Sequence, residues 1–267
     1  MLLKDRVALI SGAARGIGKA SAVVMAEEGA DVGVVDILPQ VEDTANEIQK
    51  MGRRSSFAIF DISDPLQVRE GVNKIRNELG DIDILVNNAG IVNNIAFLTK
   101  MSHEAWQREI SVNLSGAFNM IKEVIGPMIE KKWGRIINIS SGGATGGLHK
   151  QIAYASSKAG LLGLTKTVTL EHARDGITCN AILPGLIGTE LVHMMPQEIK
   201  DTAVNTTPAR RLGKTEEVGY LIAFLASDKA AFINGVGIPI DGGGMLNVGT
   251  LGSRKEAQEM QKVLGKE

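Results

Sequence analysis

Short, apolar, β-branched runs alternate along this chain with longer stretches in which apolar residues recur every three to four positions, the pattern of strands joined by crossover helices. The runs predict strands over Val7–Ser11, Asp31–Asp36, Ser55–Asp61, Ile84–Asn87, Arg135–Ser140, Ile177–Leu183 and Val236–Ile240. Most are apolar throughout, so they belong in a parallel sheet covered on both faces. The helical periodicity predicts helices over Ile17–Glu28, Pro39–Met51, Pro65–Leu79, His103–Lys131, Tyr154–Arg174 and Thr215–Ser227, with Pro65 and Gly80 as start and stop signals of the third. Pro239 lacks a ladder donor, which puts the last strand at the sheet edge. The expected fold is α/β, a doubly wound seven-stranded parallel sheet in a single domain over 1–252. From Ser253 the chain turns mostly charged, with Met260, Val263 and Leu264 at helical spacing, so 253–267 reads as a C-terminal extension, an amphipathic helix or a frayed tail.

Composition narrows the function classes. With 29 basic and 30 acidic residues and a formal charge of −1, the chain has no basic footprint for nucleic acid. No apolar run reaches the length of a membrane span, and Met1–Arg6 lacks the form of a secretory signal, so no membrane partner and a cytoplasmic location are expected. The single cysteine, Cys179, lies in an apolar strand and reads as buried and inert. No cluster with metal-ligand spacing stands out, and no metal is expected.

Chemistry enters at the first turn. Gly12-Ala13-Ala14-Arg15-Gly16-Ile17-Gly18 follows the first strand and opens a helix, so a diphosphate can approach the backbone closely and face the helix amides. Asp36 ends the second strand, where a carboxylate accepts hydrogen bonds from the hydroxyls of an adenosine ribose. A 2′-phosphate there would meet like charge worth roughly 4 kcal/mol at about 4 Å and an effective dielectric near 20. The cofactor expected is therefore NAD, with NADP less favoured and Arg15 as the cation that would permit it.

The fifth strand delivers Ser141 to the ligand side of the sheet, Tyr154 follows thirteen residues later, and Lys158 sits four beyond it on one helical face. A cation near a phenol stabilises phenolate; at roughly 4 kcal/mol this is about three pKa units, so the sequence predicts a tyrosine titrating near 7. Tyr154 would then be a general acid/base, with Ser141 holding the substrate oxygen. Each residue singly has an ordinary reading as a turn serine, a surface aromatic or a solvated lysine.

These residues, with Asn87-Asn88-Ala89-Gly90, Asn113, Pro184-Gly185 and Asp241-Gly242-Gly243, resemble the short-chain dehydrogenases/reductases, and the resemblance runs to about Gly244. It implies a Rossmann-like fold, an Asn113, Ser141, Tyr154, Lys158 centre, and usually a homotetramer built through the long helices. In relatives, Asn113 kinks its helix and holds a water that links Lys158 to solvent. The resemblance also assigns Asp61 and Ile62 to adenine, Asn88, Ala89 and Gly90 to the ribose, and Ile187 and Thr189, after Pro184 and Gly185, to the nicotinamide carboxamide. Asn87 is expected to support the sheet. Ser11 replaces the usual threonine before the first glycine and keeps the hydroxyl.

In this family the substrate is chosen by the loop between Ser141 and Tyr154, the residues after Gly90, and a lid over about 186–212. Here they supply Gly142, Gly143, His149, Gln151, Ile91, Val92, Leu186, Val192, His193, Met194 and Met195, a mixed pocket with adaptable methionines. His149, Lys150 and His193 read first as solvated loop residues. The substrate expected is a small alcohol or ketone. The alternative enzyme is a 3-oxoacyl carrier-protein reductase, a class that generally uses NADPH and docks an acidic carrier on basic residues. Asp36 disfavours the first, and Asp175 beside Lys132 and Arg174 weakens the second. A nucleotide-sensing protein that lost catalysis would typically lack the tyrosine or the lysine, and both are present.

Overall fold

In β1 (Val7–Ser11), Ala8 and Ile10 point to one face of the sheet and Leu9 to the other, the period-two alternation of a strand buried on both sides. The computed structural model describes residues 1–246, 254–263 and 265. After β1 come α1 (Gly16–Glu27), β2 (Asp31–Asp36), α2 (Val41–Lys50), β3 (Ser55–Ile59), α3 (Pro65–Leu79) and β4 (Ile84–Asn87). The chain continues through α4 (His103–Ile110), a π-turn at Ser111–Ser115, α5 (Gly116–Lys131), β5 (Gly134–Ile139), the single turn α6 (Gly143–Gly146), α7 (Ile152–His172) and β6 (Ile177–Pro184). It ends with α8 (Glu190–His193), α9 (Gln197–Thr206), α10 (Thr215–Leu225), β7 (Gly237–Ile240) and α11 (Arg254–Val263).

All strands pair in parallel in the order β3-β2-β1-β4-β5-β6-β7. β7 lies at the edge, as Pro239 requires. One core holds α1, α2 and α10 against the sheet through Met25, Ile48 and Ile222. The other holds α3, α5 and α7 through Ile75, Met120 and Val168. This is a seven-stranded Rossmann-like sheet with helices on both faces. The strand order reverses between β1 and β4, so the crevice for a ligand opens at their carboxyl ends.

Local chemistry sets the helix limits. Asp64 caps α3 by accepting from the Leu66 and Gln67 amides, Pro65 opens it, and Gly80 closes it. The long helix expected over His103–Lys131 is two helices joined by the π-turn, a form often found at functional sites. The lid region contains α8 and α9, which the periodicity did not announce. β3 stops at Ile59, short of Asp61. In the C-terminal extension, where a helix and a frayed tail were both open, α11 is a helix, while Leu264 and the boundary at 252–253 lie outside the described residues. Among the described residues, no helix is long and apolar enough to cross a membrane.

Candidate active site

The turn between β1 and α1 is shaped by what surrounds it. Gly12 has φ +67°, a left-handed conformation that favours glycine. At Gly18 a Cβ would collide with the Gly12 carbonyl oxygen, a backbone atom that cannot step aside. The turn is stitched to the end of β4: the Asn88 amide group donates to the Ser11 and Gly12 carbonyls at 2.9 and 3.0 Å, and the Ser11 hydroxyl accepts from the Asn88 and Ala89 N–H groups, each at 3.1 Å. Ser11 thus needs its hydroxyl rather than the threonine methyl. Asn87 donates to Asn138 at 2.9 Å between β4 and β5, supporting the sheet.

A cleft of about 330 Å³ opens beside this turn, lined by Gly12, Arg15, Gly16, Ile17, Asp36, Asp61, Ile62, Asn88, Ala89, Gly90, Ile91, Arg108, Thr189 and Glu190, among others. The Asp36 carboxylate accepts from the Ala14 and Leu38 amides, both at 3.0 Å, which fixes it while leaving lone pairs for further donors. Arg15 is exposed at the N-terminus of α1 and makes no ion pair among the described residues. Burial works against the charge of Asp61, and hydrogen bonds from Ser63 and Arg108 outweigh it, holding its carboxyl below the usual range. Arg108, at 2.9 Å from Asp61, is a cleft residue that no motif had marked.

The Gly90 end of this cleft meets the residues with acid/base chemistry. A Cβ at Gly90 would stand 3.1 Å from Lys158 Nζ and 3.3 Å from Asn113 Oδ1. Asn113, in the π-turn, accepts from Ile91 N–H at 2.7 Å and donates to Ile91 O at 2.9 Å and to Ser157 Oγ at 3.1 Å. Lys158 is 4 % exposed and donates to the Ile139 carbonyl at 2.8 Å, while its Nζ lies 5.6 Å from the Tyr154 ring centre. Ser141 follows β5, accepts from Gly143 N–H at 3.1 Å and lies near enough to the Tyr154 hydroxyl to weigh on its titration. Tyr154 and Lys158 thus share one face of α7, as their spacing predicted.

The electrostatics differ from expectation. Burial raises the Tyr154 phenol above its ordinary value of 10; the Ser141 hydroxyl works the other way, and the negative charge of Glu109 adds to the rise. The predicted titration near 7 is therefore overturned for this arrangement. The physical reason is burial of the phenol itself, and Lys158 does not offset it, being desolvated in turn, its ammonium lowered to about 8, and turned to the Ile139 carbonyl.

On the substrate side, Gly143 is buried beneath Leu148, His149 stacks edge-on against Phe97 at 5.5 Å, and Gln151 precedes α7. Leu186 is half-buried and lines a separate small cavity beneath the lid, Ile187 packs its side chain into the core, and Met194 is exposed on the lid. Thr189 caps α8 and stands over Gly16. Gly185 sits under Asp241, donating its N–H to the Ile240 carbonyl at 3.1 Å, next to Pro184 at the end of β6. Two neighbours of the site went unseen in sequence. Met245 brings its sulfur within 3.2 Å of where a Gly142 Cβ would be, so the segment after Gly244 reaches the Ser141 side of the pocket. Glu109 is fully buried one helical turn before Asn113; a carboxylate on that helix's inner face was the available signal.

The comparisons agree with this geometry. A family model described as enoyl-(acyl carrier protein) reductase matches residues 12–244. A 3-oxoacyl-[acyl-carrier-protein] reductase of Thermotoga maritima is 41% identical over 244 residues, covering 91% of this chain and 99% of the relative. The chain belongs to the short-chain dehydrogenase/reductase family. Among solved structures, this short-chain dehydrogenase/reductase is similar to a putative gluconate dehydrogenase from Agrobacterium tumefaciens, with a TM-score of 0.88 and 31% identity over 92% of this chain and 98% of that one. Levodione reductase is similar too, with a TM-score of 0.88 and 32% identity over 92% and 99% of the two chains. The chain is thus an oxidoreductase of CH–OH and ketone groups that uses a nicotinamide dinucleotide.

Proposed function

We propose that this enzyme is NAD(H)-dependent and interconverts a secondary alcohol and a ketone, with Tyr154 as its general acid/base. The observation that carries the proposal is the convergence of Tyr154, Lys158 and Asn113 where the cleft ends at Gly90, with Lys158 Nζ 5.6 Å from the Tyr154 ring centre and Ser141 near the phenol. In the reductive direction Ser141 and Tyr154 hold the ketone oxygen, and the phenol, kept protonated by burial, gives it a proton. In the oxidative direction Tyr154 takes the alcohol proton. Lys158 and Asn113 hold the surrounding backbone in place.

The residues present fit a dinucleotide. Gly12, Arg15, Gly16, Ile17 and Gly18 would take the diphosphate, Asp36 the adenosine ribose, Asp61 and Ile62 the adenine, and Asn88, Ala89 and Gly90 the second ribose. Pro184, Gly185, Ile187 and Thr189 would border the carboxamide. When bound, the nicotinamide supplies the hydride exchange and, oxidised, a positive ring charge. Asp36, held by two backbone amides, supports NAD over NADP, since a 2′-phosphate beside it would meet repulsion of roughly 4 kcal/mol. The substrate side is Gly143, His149, Gln151, Leu186 and Met194, under a lid over about 186–212. Exposed Phe118 on α5 and Leu170 on α7 support a homotetramer built through these helices; the cytoplasm is the location proposed for it.

A second reading, a 3-oxoacyl carrier-protein reductase using NADPH, is favoured by the name of the Thermotoga maritima relative and by Arg15, which makes no ion pair among the described residues. Lys132, paired to Asp175, weakens a basic docking face. Steady-state rates with NADH and NADPH over a panel of ketones, a carrier-bound 3-oxoacyl thioester included, separate the two. The expected result is preference for NADH, shifting toward NADPH in Asp36→Ala. Strong preference for NADPH with turnover of the thioester contradicts the first reading.

A further inference from the structure

A carboxylate lies buried against this site without a counter-charge. Glu109, on α4, is 0 % exposed. Its Oε1 accepts from the Asn93 and Asn94 N–H groups at 2.8 and 3.0 Å, and its Oε2 has no hydrogen-bond partner. Among the described residues no cation pairs with it. Burying a carboxylate oxygen unsatisfied is costly, and an apolar residue would fill such a space without that cost. The group therefore calls for a reason.

Its surroundings supply one. The two amides it holds belong to the loop after β4, whose Ile91 is clamped by Asn113 and whose Ala96 donates to the Lys150 carbonyl at 2.8 Å, just before α7. Glu109 thus pins the middle of a segment that walls the pocket on both sides of it. The titratable and charged groups nearest in the fold are Lys158 on the helix of Tyr154 itself, His149 and Lys150 in the loop before it, and His103, Glu104, Arg108 and Glu109 on α4, which packs against that helix. Of these, Glu109 is the one whose charge registers at the phenol.

We propose that Glu109 is a positioning residue for this reaction: from α4, which packs against the Tyr154 helix α7, it fixes the loop wall at Asn93 and Asn94 and brings a negative charge to the α7 side of the pocket, biasing the site toward giving a proton to a ketone. The inference rests on Tyr154 as the acid/base. Like charge disfavours phenolate, so the phenol stays a donor to higher pH than it would beside a neutral residue.

The test uses the fact that the chain has two tyrosines, the other being the exposed Tyr220. Phenolate absorbance is titrated in the wild-type enzyme, in Tyr154→Phe, whose difference from wild type isolates Tyr154, and in Glu109→Gln, which keeps an acceptor for the loop amides and removes the charge. In Glu109→Gln the Tyr154 midpoint should fall, and the high-pH limb of ketone reduction should move down with it, at nearly unchanged KM for the ketone. Glu109→Ala should additionally raise that KM several-fold with the KM for NADH unchanged; if it fails to fold, Glu109→Gln carries the test. A wild-type midpoint and pH limb in Glu109→Gln overturn the proposal. A Tyr154→Phe enzyme that still turns over defeats the acid/base reading instead, and the two failures are distinguishable because the titration needs no turnover.

Discussion

The nucleotide cleft and the proton-transfer corner occupy the same edge of one sheet, but different parts of the chain specify them. The cleft is made largely of backbone: a glycine turn, amides at the start of α1, and Asp36 held by two N–H groups. The corner is made of side chains from three separate segments, Asn113, Ser141 and the Tyr154–Lys158 pair, and its electrostatics depend on how deeply each is buried. A site of the first kind fails when an atom is added; one of the second kind fails when a functional group or a charge is removed.

Tyr154→Phe should sharpen this contrast most. Loss of a general acid/base costs about 10²–10⁴-fold in kcat, and NADH affinity, set by the other region, should stay within a few-fold by fluorescence titration. Lys158→Met should lower turnover too, because the backbone at Ile139, two residues before Ser141, loses its donor, yet gain stability at neutral pH. Burial lowers Lys158 from 10.5 to about 8. Below that value the lysine is protonated in both states and the folded chain bears the full cost of the buried charge. Between about 8 and 10.5 it is protonated only when unfolded, so wild-type stability rises with pH across this window. At 1.36 kcal/mol per unit the cost at pH 7 is about 3 kcal/mol, and denaturant midpoints should show Lys158→Met ahead at pH 7 with the gap closing toward pH 10.5. On the cleft side, Gly18→Ala should cost about 1–3 kcal/mol through overpacking against the Gly12 carbonyl and weaken NADH binding.

The same contrast decides what could be read from sequence. β1, β2 and β4 match their predicted limits, because continuous β-branched runs between turn residues leave little choice. The glycine turn was legible because its spacing encodes a backbone shape, and the Tyr154–Lys158 pair because helical spacing alone puts them on one face. Burial was not legible. Nothing local shows that Lys158 would turn to Ile139, so the predicted low tyrosine titration reversed in direction. The apolar period shows neither the π-turn at Asn113, where only the family resemblance implies a kink, nor the short lid helices, because it is broken or too brief to register there. Arg108, Glu109 and Met245 matter only through tertiary neighbours. Cys179 illustrates the easier case: an apolar run implied burial, and burial pushes its thiol up to about 12.

If one bound dinucleotide spans both regions, a crystal structure of the enzyme soaked with NADH shows it directly. The diphosphate is expected over Gly12–Gly18, the adenosine ribose on Asp36, and the nicotinamide ring beside the Tyr154 hydroxyl. A nicotinamide placed away from Tyr154, or a dinucleotide bound elsewhere on the molecule, would contradict it.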